Sequence, residues 1–130
     1  ELMEIGILPP NTSEPSNNPF YSMIDAQLTT EIFGLLAPGR PDIALNLAYL
    51  PIRTVAKNDS QWISEFYIVM HSLAAIVDQD LSLKQQTQWL AERASYYLPN
   101  DSVPASVYQF VKNHYEENNI NTNKFTFKIF

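Results

Sequence analysis

The chain has 130 residues, is 45% hydrophobic and 12% aromatic, and is long enough for one domain with a buried core, which excludes disordered and collagen-like classes. Its 8 Lys and Arg stand against 14 Asp and Glu, and a net charge of -6 repels phosphate backbones, so nucleic acid is not an expected partner. Cysteine is absent, which removes disulfides, thiolate zinc sites and a cysteine nucleophile, and no apolar run approaches the roughly 20 residues that span a bilayer.

The chain opens with Glu1 rather than Met, which suggests a processed product or a piece of something longer. Residues 1–20 read as irregular. Leu8-Pro9-Pro10-Asn11 and Ser13 to Pro19 place four prolines among turn formers, where backbone donors are missing and extended geometry is favoured. A helix is predicted after Pro19, with Tyr21, Ile24, Leu28, Ile32 and Leu35 as one apolar stripe. Ala37-Pro38-Gly39-Arg40-Pro41 ends it, and Pro41 suits the first turn of the next helix. That second helix runs to about Ala56 with Ile43, Ala44, Leu47, Ala48 and Leu50 facing a core. Pro51 is expected to kink or split it.

Asn58-Asp59-Ser60 reads as a loop with a ready N-cap. The third helix, about Gln61 to Val77, is apolar nearly all round and so is expected to be central. Trp62, Phe66, Met70, Leu73, Leu90 and Phe110 are expected to be buried together. Asp78-Gln79-Asp80 ends the central helix, Ser82 or Asp80 caps a fourth over Leu83 to Leu98, and Ser102 caps a fifth over Val103 to Glu117. Residues 118–123 are asparagine-rich, and Lys124 to Phe130 alternates as a strand does, with Phe125, Phe127 and Ile129 on one side. The expected architecture is therefore all-α. It is an irregular orthogonal bundle of about five helices over 21–117, with a loop-like N-terminus and a short strand in the tail, 118–130.

Candidate chemistry is sparse. His71 falls within the central helix and reads as a satisfied core histidine rather than a ligand; His114 falls on a solvated face. Asp78 and Asp80 are the right type for a magnesium hook, but an acidic pair after a helix ordinarily makes a polar turn. Asp25 and Glu31, six apart, lie on different faces of a helix. Neither a Ser-His-acid set nor a spaced histidine pair stands out, so the residues predict no self-contained catalytic or metal site.

Asn18-Pro19-Phe20-Tyr21, Ile24-Asp25-Ala26-Gln27-Leu28 and Glu31-Ile32-Phe33-Gly34 together resemble the helix entry of the ADP-ribosylglycohydrolase family, where a Gly-Ala-Gln-Ile run precedes an acidic residue and Trp-Gly. Ala37-Pro38-Gly39-Arg40-Pro41 with Ala44, Leu47 and Ala48 resembles its Pro-Gly-x-Pro turn and small-residue helix. Trp62 to Tyr67 stands where the family carries a Tyr-Gly-Glu-Met-Phe segment, and Leu98 to Ser102 resembles an Ile-Pro-x-x-Ser link. Leu8-Pro9-Pro10 is similar to an upstream Pro-Pro loop, so the resemblance covers about Ile7 to Tyr115.

The resemblance implies hydrolysis of ADP-ribose from modified substrates by the complete family enzyme, with a pair of magnesium ions held by a Gly-Asp motif and an Asp-x-Asp motif. Neither motif is in this chain, so magnesium is expected only in the complete enzyme. Thr54 to Gln61 carries neither the histidine nor the glycine of the family's substrate loop, which leaves Asn58 and Glu65 as the expected substrate-binding residues. Glu65 also has a plainer reading, as a helix-N-terminal acid stabilised by the macrodipole. The expectation is a middle helical portion, inactive alone, that pairs with itself or with the remainder of a larger protein; the alternative is a non-catalytic helical interaction module.

Overall fold

Small residues recur at every fourth position in three stretches: Ala26, Thr30 and Gly34; Ala44, Ala48 and Ala56 with Ile52 among them; Ser60, Ser64 and Ser72 with Ile68 among them. Four-residue spacing puts each set on one helix face, and small side chains let backbones approach closely. The computed structural model, which describes residues 2–121 and side chains through residue 117, puts all three faces inside.

The architecture is all-α, with no strand among the described residues. Its helices are α1 (Asp25–Thr30), α2 (Ile32–Leu36), α3 (Pro41–Val55), α4 (Asp59–Leu73), α5 (Leu83–Ser95) and α6 (Val103–Asn121). The first predicted helix is thus two short ones broken at Glu31. The α1–α2 pair, α3 and α4 pack on one another around Ala26, Ala37, Ala44, Ala48, Ile52, Ala56 and Ile68. A second cluster, Val69, Leu73 and Ala94, joins α5 to α4 with help from Phe66, Met70, Trp89 and Leu90. The C-terminal helix α6 is set on α4, where Phe66 and Tyr108 meet at 6.3 Å and the Val103 amide donates to Asp59 Oδ1 at 3.1 Å.

Gly34 is where α2 crosses α4. A Cβ there would lie 2.4 Å from the Ile68 carbonyl oxygen and 2.6 Å from His71 Cβ, so only glycine fits. One turn on, the Gly39 amide donates to the Ser72 carbonyl at 2.7 Å, and Ser72 Oγ donates to the Ala37 carbonyl at 2.5 Å. The Pro-Gly-Arg-Pro turn is in this way tied to the end of α4, with Gly39 at a φ of +70°.

Four local expectations are corrected. Pro51 does not split α3 into two elements; Leu47, whose carbonyl it leaves without a donor, is half exposed on the outer flank. The central helix ends at Leu73 rather than Val77, because Ala74 to Val77 leave the helix as turns. Phe110 is 72% exposed and Trp62 is half-buried outside the cluster, so neither joins the core around Leu73 that Phe66, Met70 and Leu90 do pack against. Helix α6 continues through Asn121, past the expected end at Glu117; the tail's expected strand over 124–130 lies outside the described residues.

Candidate functional site

Two places combine shape with chemistry. The first is the corner where α3 hands over to α4. Arg53 is the one cation of α3 and sits in its last turn, nearly buried at 8% exposure. An isolated buried guanidinium is costly, so its donors must be met. Nε donates to Ser13 Oγ at 2.9 Å, and one Nη donates to Glu14 Oε1 at 2.8 Å and to the Pro10 carbonyl at 3.3 Å. The Arg53 carbonyl in turn accepts from Thr12 Oγ1 at 3.2 Å. Lys57 Nζ takes the other Glu14 oxygen. Asn18 Nδ2 donates to the Val55 carbonyl at 2.9 Å, and the Lys57 amide donates to the Tyr21 carbonyl at 3.1 Å. The proline-rich N-terminal segment is therefore fastened across the end of α3. Lys57 and Arg53 hold the Glu14 carboxyl below its usual range, against a smaller opposing effect of desolvation.

Asn58 and Glu65, the two residues expected from sequence, both belong to this corner. Asn58 precedes α4 with φ 57° and ψ -132°, a backbone state that suits glycine, and its side chain is exposed and makes no capping hydrogen bond. Glu65 lies seven residues on, half-buried on α4, and accepts from Gln61 Nε2 at 2.7 Å. Burial pushes its carboxyl above the ordinary range; the Gln61 hydrogen bond and the Arg53 charge act against that push. A half-buried carboxylic acid with a raised pKa is suited to proton transfer, but structural networks perturb carboxyls in the same way. The two residues share a corner without touching. The Arg53 guanidinium, spent on Ser13, Glu14 and Pro10, is not offered to a phosphate.

The other sequence candidates resolve as structure. Asp78 Oδ1 accepts from the Asp80 amide at 2.9 Å, the polar turn expected of such a pair. Half-buried His71 has its Nδ1 2.7 Å from the Tyr67 carbonyl within its own helix. The His114 ring stacks on Phe110 at 6.3 Å. Among the described residues no three His, Asp or Glu side chains gather as metal ligands, so the donor set does not fit the magnesium that the resemblance implies. No helix among them is long and apolar enough to cross a membrane.

The second place is a groove of about 880 Å³ between α5 and α6. Leu83, Trp89 and Ala91 line it from α5, and Tyr108, Val111 and Tyr115 from α6. The helices run antiparallel here, bridged at one end by Lys84 Nζ lying 4.9 Å over the Tyr115 ring and further along by a 3.1 Å pair between Lys112 and Glu92. They touch through long side chains rather than through small residues at a close crossing.

No protein family, curated protein or solved structure matches this chain.

Arg53, Glu14 and Lys57 form a charged cluster that sequence reading passes over. A signal exists. Arg53 is the lone cation of α3, and Glu14 is the lone charge between Ile5 and Ile24. Two solitary opposite charges in neighbouring segments are natural partners, because each would otherwise be buried without compensation.

Proposed function

We propose that this chain is the middle helical portion of an ADP-ribosylglycohydrolase-like protein, and that it is catalytically silent by itself. The observation that carries this reading is the role of the residues behind the resemblance. Ala26, Gly34, Gly39, Ala44 and Ala48 are not scattered; they form the crossings of α1, α2 and α3 with α4. A motif order that encodes one packing unit is harder to meet by accident than a set of isolated matches. A second support is that Asn58, within the segment 54–61 that stands where the family's substrate loop lies, adopts a backbone state suited to glycine.

In the complete family enzyme the resemblance implies hydrolysis of the glycosidic bond between ADP-ribose and a modified side chain. Magnesium there would orient the sugar diol, and a carboxylate would activate water. Among the described residues no group of His, Asp or Glu gathers to hold that metal. What this portion contributes is placement: α4 holds Glu65 in a half-buried position, and the turn at Asn58 sets the path of the loop ahead of it. The alternative, a non-catalytic interaction module, is favoured by one observation, the open apolar groove between α5 and α6.

The deciding experiment has two arms. Purified chain with magnesium and a mono-ADP-ribosylated protein is expected to release no ADP-ribose; turnover of about 1 per second or more would overturn the silent-portion reading. Sequencing the gene on both sides is expected to find a Gly-Asp motif upstream and an Asp-x-Asp motif downstream. A complete reading frame with neither overturns the enzyme reading in favour of the module.

A further inference from the structure

The α5–α6 groove is apolar and open, and the chain that would fill it leaves from its edge. Helix α6 ends at Asn121, six residues beyond Tyr115, and Tyr115 meets Lys84 at the N-terminal end of α5. The next nine residues, 122–130, carry Phe125, Phe127, Ile129 and Phe130. We infer that residues 124–130 reverse after α6 and lay their apolar side chains into the α5–α6 groove of the same molecule.

Three considerations carry this. The first is reach. The seven residues 124–130, fully extended, span about 23–25 Å, which matches about 9 Å back from Asn121 to the level of Tyr115 plus about 14 Å along α5 from Leu83 to Glu92 at 1.5 Å per residue. Thr122 and Asn123 are turn-tolerant types, and they leave the apolar residues for the groove itself. The second is chemical fit. Phe125, Phe127 and Ile129 share one side of an extended segment, which matches a floor of Leu83, Val111 and aromatic rings. Leu83 is 80% exposed and Val111 57% exposed while this floor is uncovered. The third is solvation. An extended segment between two helices has no ladder partner, so its backbone amides and carbonyls need water. A groove open on its outer side supplies that water while the inner side takes the rings. The pairing does not depend on the family reading, since it concerns a face that the helix crossings of α1 to α4 do not use.

The absence of cysteine makes the test simple. Thr87 lines the groove, and Thr29 is exposed on α1. Thr87→Cys with Phe127→Cys, treated with a short bismaleimide, is expected to give an internally cross-linked monomer that migrates faster than the uncross-linked chain. The control, Thr29→Cys with Phe127→Cys, is expected to cross-link at least tenfold less. Cross-linked dimers in place of monomers overturn the inference in favour of a second copy as occupant, and equal or no cross-linking in both pairs overturns docking altogether. An independent readout uses Trp89 as sole fluorophore in a Trp62→Phe background. Ending the chain at Asn121 is expected to raise acrylamide quenching of Trp89 by about twofold or more and to shift its emission to the red. Unchanged quenching and emission contradict the inference even if the cysteine variants fold poorly.

Discussion

Asn58 holds its backbone at a positive φ with an extended ψ, a state that a side chain tolerates only at a cost of about 1–3 kcal/mol. Its side chain makes no cap to offset that cost. Asn58→Gly is therefore expected to stabilise the chain by about 1 kcal/mol in urea unfolding, and Asn58→Val to destabilise it; a destabilising glycine would show that the asparagine side chain contributes something the backbone geometry does not reveal. Two carboxyls in the same corner titrate in opposite senses. Hydrogen bonding and charge from Lys57, with Arg53 behind it, lower the Glu14 pKa, so the stability it contributes is present above the ordinary glutamate range and is lost as pH falls through its depressed value. Burial raises the Glu65 pKa, so the folded state binds that proton more tightly, and stability falls as pH rises through its elevated value. Glu65→Gln keeps the Gln61 contact and removes the titration. It is expected to raise the melting temperature at pH 7 and to give no advantage near pH 4. A pH-independent difference between the two proteins would assign the effect to packing instead.

The helices themselves were largely legible, because apolar period and caps act locally. Ser82 does cap α5, with Gln85 completing a reciprocal capping box, and Pro41 does open α3. Sequence reading merges the two apolar faces of α3. It expects Ile43, Ala44, Leu47, Ala48 and Leu50 in the core; Ala44 and Ala48 are there, with Ile52 and Ala56, whereas Ile43, Leu47 and Leu50 are exposed. Periodicity ranks faces by hydrophobicity, and a face of alanines ranks below a face of leucines. Close crossing reverses that order, because backbone proximity demands small side chains rather than large ones. The candidate site was half legible for a related reason. Asn58 and Glu65 stand within one local pattern, whereas the Arg53–Glu14 lock joins residues 39 apart and depends on how the N-terminal segment lies. The close crossing also gives a sharp test. Gly34→Ala forces a methyl against the Ile68 carbonyl and His71 Cβ, both on the rigid body of α4, and is expected to destabilise by about 1–3 kcal/mol. Measured by urea unfolding, a change within about 0.3 kcal/mol would mean that α2 is free to retreat from α4.

Over the whole molecule, helix faces built from small residues have a consequence on the outside. The large apolar residues that do not fit between close helices are turned outward. Ile24, Leu28, Ile32 and Leu35 run along the outer side of α1 and α2 with Leu28 at 69% exposure, and Ile43, Leu47 and Leu50 run along the outer side of α3 with Leu50 at 51%. Finishing the burial of a half-exposed Leu or Ile contributes about 1 kcal/mol, so two stripes of this kind provide several kcal/mol toward association before the cost of lost freedom. A net charge of -6 opposes nonspecific clumping but is too small to prevent a specific contact. If the chain is a layer of a larger helical body, the remainder of that body covers these stripes in the parent and a second copy covers them in the isolated chain. Sedimentation at micromolar concentration is therefore expected to show a dimer or larger species. Leu28→Glu combined with Leu47→Glu is expected to return a monomer with an unchanged far-ultraviolet helical signal, because neither substitution touches the Ala26 or Ala48 faces. A wild-type chain that sediments as a clean monomer would show that these stripes are tolerated in water, and the small-residue core would then lose its force as a sign of a missing neighbour.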